Sequence, residues 1–159
     1  MGLRYPNQKN HSCFFVTSSF SSRIKFGLVE GIYEMLIDSL LFYKEKFGAK
    51  IAAYTLMPSH IHLLLFIEGA QLPHFMRDYK KFTAQEGVRK LLIKMPHLWI
   101  PRYDRVAISD ERIFRVKLDY IHNNPVTAGL VERPEDWPWS SAEAYMKGVD
   151  RYGLVWIDW

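Results

Sequence analysis

Residues 51–68 read IAAYTLMPSHIHLLLFIE, and the pattern of this stretch decides the fold. Ile51 to Met57 is an apolar, aromatic and β-branched run, Pro58-Ser59 breaks it, and Ile61 to Ile67 is a second run. That predicts two strands joined by a short turn. At the head of the second strand stands His60-Ile61-His62. Side chains alternate faces along a strand, so two histidines one residue apart project from the same side, close enough to share one ion, while Ile61 points into apolar packing. Imidazole suits divalent first-row ions, and an open site leaves room for phosphate oxygens or water. For an arbitrary chain the plainer reading is the commoner one: two half-exposed strand histidines with satisfied ring nitrogens. The pair gains weight only if the chain also supplies a nucleophile and a third ligand.

Outward from this hairpin, Cys13 to Phe20 (CFFVTSSF) has the content of a first strand, and residues 1–12 read as a loose leader. Apolar residues from Leu28 to Phe47 recur at three- and four-residue steps, which predicts a helix with one face on a sheet, stopped by Gly48. Gly69 ends the second strand of the hairpin, and Leu72 to Leu92 predicts another helix with Pro73 in its first turn. Lys94 to Arg105 (KMPHLWIPRYDR) is a proline-punctuated, aromatic and basic passage into a short strand, Tyr103 to Ile108. Asp110 is a plausible cap for a helix from Glu111 to Asn123, which Pro125 is expected to end. Residues 128–159 read as an irregular C-terminal cover with a short helix at Ser141 to Lys147. The order strand, helix, strand, strand, helix, strand, helix predicts an α+β sandwich, an antiparallel sheet with helices on one or both faces.

The 159 residues fit one domain, 1–159, with no linker or internal repeat, and 48% hydrophobic content is enough for a sizeable core. A net charge of +4 and a pI near 9.1 favour an anionic partner, either nucleic acid or an anionic membrane surface. The longest apolar run, Leu63 to Ile67, falls far short of the roughly 20 residues that a membrane span needs, so no membrane segment is expected. Cys13 is the single cysteine and Met1 to Asn10 carries no cleavable signal pattern, so a cytoplasmic location with an inert thiol is expected.

Asp119 to Pro125 read DYIHNNP, the second half of the candidate site. Tyr120 and Asn124 are four residues apart, one turn from each other on one side of a helix, whereas His122 lies about 200° round the axis from Tyr120. A tyrosine hydroxyl is a competent nucleophile toward phosphorus when its proton leaves and the charge building on the phosphate is stabilised. Asn124 offers a neutral oxygen ligand beside His60 and His62. Against this, most helix tyrosines pack the ring into the core with the hydroxyl at its edge. Tyr79 and Tyr103 are the competing nucleophiles, and neither stands in a motif with a third ligand.

Met57-Pro58-Ser59-His60-Ile61-His62, Tyr120-Ile121-His122-Asn123-Asn124-Pro125-Val126 through Ala128-Gly129-Leu130-Val131, and Glu135-Asp136-Trp137-Pro138-Trp139-Ser140-Ser141 together resemble the IS200-like single-tyrosine transposases, most closely their REP-associated branch. The resemblance covers about Phe14 to Tyr145. It implies a ferredoxin-like (RRM-like) fold of the HUH endonuclease type, with the histidine pair on a central strand and the tyrosine on a helix beside it. It further implies that His60, His62 and Asn124 bind Mg²⁺ or Mn²⁺, and that Tyr120 attacks the scissile phosphate of single-stranded DNA near a hairpin. The product would be a 5′-phosphotyrosine and a free 3′-hydroxyl, rejoined later by another 3′-hydroxyl. Two positions depart from the wider family: Ser59 stands where Asn is more common, and Asn124 where the insertion-sequence branch has Gln. Insertion-sequence relatives form dimers that exchange their tyrosine helices and the REP-associated branch is monomeric, so both a monomer and a homodimer stay open.

Lys80, Lys81, Arg102 and Arg105 are candidates to hold a DNA backbone, and Trp99 and Tyr103 to stack on unpaired bases, since basic grooves interleaved with aromatics suit single strands. Two rivals remain on the sequence alone. A non-catalytic single-stranded nucleic-acid-binding module would present Phe14, Tyr54 or Phe66 on an open sheet face. A metal-dependent hydrolytic nuclease would use the same ion with water as nucleophile.

Overall fold

Both faces of the central strand of the sheet are buried. The computed structural model describes residues 8–91 and 97–159. Its elements are β1 (Cys13–Ser19), α1 (Ile32–Lys46), β2 (Lys50–Leu56), β3 (His60–Phe66), α2 (Leu72–Leu91), β4 (Asp104–Ala107), α3 (Glu111–Thr127) and α4 (Ala142–Lys147). The four strands form one antiparallel sheet in the order β2-β3-β1-β4, which is the ferredoxin-like arrangement that the sequence predicts. Residues 1–7 of the expected leader, Leu92 of the expected second helix and Lys94 to Pro96 of the basic passage lie outside the described residues.

Period-two alternation sorts the sheet into two cores. On one face, Phe14, Val16, Ile61, Leu63 and Leu65 meet Leu36, Leu40, Phe75 and Tyr79 of α1 and α2. On the other, Phe15, Ala52, Ala53 and Leu64 meet Phe114, Leu118 and Ile121 of α3. Phe15 pairs with Leu64, Thr17 with His62 and Ser19 with His60, so the histidines fall on the α3 face. A register shift between Ile51 and Ala53 turns two successive alanines, Ala52 and Ala53, toward α3, where their small size permits close approach.

Three expectations are corrected. Pro125 does not end α3: the helix runs to Thr127 with Pro125 buried inside it. Proline in a last turn removes only one helical hydrogen bond, and the end is closed instead at Gly129, whose φ is +75°. There Gly129 N donates to Val126 O at 2.9 Å and Leu130 N to Pro125 O at 2.9 Å. Asn124 therefore keeps helical geometry, which the site depends on. The first helix begins at Ile32 rather than Leu28, because Phe26–Leu28 forms a separate 3-10 turn and Leu28 is exposed.

Third, residues 8–12 are not loose. Gln8 is buried in a 3-10 turn, its Nε2 donates to Gly69 O at 3.3 Å, and its Oε1 accepts from Arg105 Nε. The C-terminal cover closes the free edge of β2: Leu56 N donates to Trp139 O, Ser141 N to Tyr54 O and Trp156 N to Ile51 O. An edge strand protected in this way offers little for another chain to pair with.

A methyl group built on Gly69 would lie 2.0 Å from the Gln8 carbonyl oxygen. Gly69→Ala is expected to displace the Gln8 turn and lower stability by about 1–3 kcal/mol in denaturant unfolding. An unchanged midpoint would show that the turn does not pack on Gly69 in solution.

Candidate active site

α3 lies along β3 in the opposite direction, so its C-terminal half passes over the histidine end. Phe114 meets Phe66 at 5.8 Å between ring centroids, and Tyr120 meets His62 at 5.4 Å. The Tyr120 ring sits edge-on to both His62 and Phe15 and is 49% exposed, which leaves its hydroxyl open to solvent.

The two imidazoles are held from behind. His62 Nδ1 meets Thr17 Oγ1 at 2.8 Å, and its ring stacks on Phe15 at 5.4 Å. With Nδ1–H donated to Thr17, the lone pair lies on Nε2, which is buried and has no hydrogen-bond partner among the described residues. His60 Nδ1 meets Ser59 Oγ at 3.1 Å, and the two rings are 4.7 Å apart, edge to face. Burial pushes the His62 pKa down to about 3, helped by the charges of His60 and Lys117. Burial also lowers His60, with the Arg23 charge adding to it. Both rings are therefore neutral at pH 7, the form that binds metal.

Asn124 lies beside His60, near enough for its side chain to oppose that lowering, yet no hydrogen bond of normal geometry forms and Asn124 Oδ1 is also buried without a partner. Buried polar atoms are nearly always paired, so an unpaired imidazole nitrogen and an unpaired amide oxygen in one site call for an explanation. A divalent cation fits them, because both are neutral donors with free lone pairs. Among the described residues no group of three His, Cys, Asp or Glu could hold a metal.

The other sequence candidates separate. Tyr79 is fully buried, donates its hydroxyl to Leu36 O, and is no nucleophile. Trp99, expected to stack on bases, is instead buried against Phe20 at 4.6 Å with its indole N–H on Thr83 Oγ1, because the apolar side needs a large plug there. Lys80 is half-buried and donates to the carbonyls of Ile100, Pro101 and Arg102, the shortest at 2.7 Å, and burial lowers its pKa to about 8. Tyr103 lies between Lys80 and Arg105, 5.7 and 5.2 Å from its ring centre. Arg105 holds Gln8, while Lys81 and Arg102 are exposed. Phe14 and Tyr54 are buried, so they form no open platform for bases.

Sequence reasoning passed over Thr17 and Lys117. Thr17 is legible only through its pairing with His62, which a single strand does not reveal. Lys117 carries a signal: it stands three residues before Tyr120 and seven before Asn124, on the same helical face. Its Nζ lies 4.7 Å from the centre of the Phe15 ring. His122 faces away from the site, buried, with Nε2 2.7 Å from Ser141 Oγ, which also accepts from Tyr54 N.

A family model described as IS200-like transposase matches residues 14–124. The chain belongs to the IS200-like transposase family. It is similar to the REP-associated tyrosine transposase of Escherichia coli K12, at 32% identity over 130 residues, 80% of this chain and 72% of that one. A Haemophilus influenzae protein provisionally given the same name is 30% identical over 112 residues, 61% of each chain. Among solved structures, a REP-associated tyrosine transposase bound to a REP hairpin superposes with a TM-score of 0.72 at 27% identity, covering 94% of this chain and 85% of that one. Both paired motifs, His60-Ile61-His62 and Tyr120 to Asn124, fall inside the matched segment of this transposase. No helix among its described residues is long and apolar enough to cross a membrane.

Burial lowers the His122 pKa from 6.5 to about 4. As pH falls the unfolded chain takes up this proton first, so the stability contribution is complete above about pH 6.5 and is lost as pH falls toward 4. The thermal midpoint of metal-free protein is expected to drop between pH 7 and 5. In His122→Gln that drop should shrink without vanishing, because His60 and His62 share the sign. An identical slope in the variant would show that His122 is not buried neutral.

Proposed function

We infer that this transposase cuts and rejoins single-stranded DNA next to a hairpin, with Tyr120 as nucleophile. The observation that carries the reading is the half-exposed Tyr120 ring seated on His62, beside two buried donors, His62 Nε2 and Asn124 Oδ1, that have no partner. In the forward step Tyr120 Oη bonds to phosphorus as the P–O3′ bond breaks. The phenolic proton passes to water, and the departing 3′ oxygen takes a proton to become a hydroxyl. The 5′-phosphotyrosine keeps the phosphoester energy, so attack by another 3′-hydroxyl restores the strand and releases tyrosine.

His60, His62 and Asn124 would hold Mg²⁺ or Mn²⁺, which when bound supplies Lewis-acid polarisation of a phosphate oxygen. Thr17 fixes the His62 ring so that Nε2 faces the site, and Ser59 holds His60 in the same way. Phe15 excludes water from behind the histidines. The substrate class follows from the E. coli relative and the hairpin-bound solved structure together with the +4 charge of the chain. A buried free thiol at Cys13 suits the reducing cytoplasm, where such DNA is met.

The test is a denaturing gel of purified protein with hairpin oligonucleotides from repeats flanking its gene, with Mn²⁺ or EDTA. Wild type is expected to give a slow, SDS-resistant protein-DNA band, and Tyr120→Phe to lose both the band and cleavage while still binding. Metal-dependent cutting that survives in Tyr120→Phe would establish the hydrolytic nuclease instead, and binding without any cutting the non-catalytic module. Thr17→Val should weaken Mn²⁺ binding by about tenfold in a calorimetric titration, as loss of a partner behind a metal ligand commonly does. Equal affinity would remove Thr17 from the site.

A further inference from the structure

Two cations bracket the donor set. On the Phe66 side, Lys117 lies half-buried one turn before Tyr120, with its Nζ 4.7 Å from the centre of the Phe15 ring that also touches His62 and Tyr120. On the other side, β1 runs out past Ser19, the partner of His60, into a turn at Ser21–Arg23. Among the described residues neither Lys117 nor Arg23 has a carboxylate within ion-pair distance, as is true also of exposed Lys81, Arg102 and Arg112; what sets these two apart is their place on either side of the histidines. The charges of both nevertheless reach the histidines, Lys117 acting on His62 and Arg23 on His60.

The Arg23 turn is also strained. Ser22 and Arg23 have φ of 54° and 52°, a region that residues with side chains rarely occupy, and two in succession are rarer still. Such a conformation persists only where its surroundings impose it. Here they do: Ser21 N donates to Leu98 O, Phe20 N to Ser59 O and Gly27 N to Pro58 O, and buried Phe20 stacks on Trp99. The turn is thus tied to the residues just before His60, and Arg23, itself exposed, is carried at a fixed point on the rim.

We propose that Lys117 and Arg23 form a phosphate clamp along the bound strand, Lys117 on the scissile phosphate beside Tyr120 and Arg23 on the adjoining phosphate past His60. The proposal rests on the strand-transfer reading. An anionic strand is the occupant that explains two unpaired cations on either side of a nucleophile. A phosphate oxygen at Lys117 gains charge as the tyrosine oxygen attacks, so this contact strengthens in the transition state and acts on the rate. A phosphate at Arg23 does not react, so that contact acts on binding.

The experiment uses the full chain and a hairpin oligonucleotide whose cut site wild type has mapped, in single-turnover cleavage over a range of protein concentrations. Lys117→Met keeps the stem over Phe15 and is expected to lower the maximal rate by about tenfold or more, with partial recovery in Lys117→Arg. Arg23→Gln is expected to raise the half-saturating concentration by roughly tenfold with the maximal rate little changed, and Arg23→Lys to recover it. The deciding measurement replaces the scissile phosphate by an uncharged methylphosphonate. If Lys117 contacts that phosphate, Lys117→Met should then cleave at close to the wild-type rate on the same substrate. Equal losses on both substrates, or wild-type kinetics in either variant, would overturn the clamp and leave the strand-transfer reading standing. Failure of wild type to cleave any hairpin would overturn that reading and the clamp with it.

Discussion

The seat of α3 on the sheet is the constraint on which the rest of the site depends. Phe114, Leu118 and Ile121 pack on Phe15, Ala52, Ala53 and Leu64, and this contact fixes both the rotation of the helix and its position along β3. With that stripe buried, Lys117, Tyr120 and Asn124 emerge together along one flank of the helix, over the histidine end. The two alanines matter because a larger side chain at either would lift the helix from the strand that carries His62. The apolar contacts contribute most of the energy, since burial of large side chains contributes about 1.5–3 kcal/mol each. The chemistry occupies the flank they leave over.

Around that seat the polar groups divide into those that are satisfied and those that are not. His122 and Ser141 form a closed set with the Tyr54 backbone and join α3 to the C-terminal cover. Lys80 is engaged by loop carbonyls and Arg105 by Gln8. By contrast, His62 Nε2 and Asn124 Oδ1 have no hydrogen-bond partner among the described residues, and Lys117 and Arg23 have no carboxylate within ion-pair distance. Of the four buried side-chain polar atoms without a partner among the described residues, Ser18 Oγ and Tyr33 Oη lie elsewhere, whereas His62 Nε2 and Asn124 Oδ1 fall together beside Tyr120, where the proposed reaction needs free lone pairs.

Much of the architecture was legible because the hydrophobic periods are clean. Alternation in Ile61 to Phe66 and three-and-four spacing in α1, α2 and α3 each match one element, and the order of elements suits few topologies. Errors arose where local rules meet tertiary context. Pro125 reads as a helix stop, yet burial of its ring and the closure at Gly129 hold one more turn. Trp99 reads as a DNA contact because aromatic and basic residues cluster in one passage, but composition does not say which side chains face inward. Trp99 fills the space beside Phe20, and Lys80 reaches from α2 to the backbone carbonyls of residues 100–102.

The sequence by itself determined the pair His60 and His62 on one strand face and the pair Tyr120 and Asn124 on one helix flank, because both follow from the local repeat of a strand and a helix. It also determined the antiparallel α+β class. Only the tertiary structure decided that these two pairs meet, that Thr17 stands behind His62, and that Arg23 and Lys117 bracket them. Those relations join residues 17 and 62, 62 and 120, and 23 and 60, and such distances along the chain are closed by packing and strand register, which no local pattern encodes.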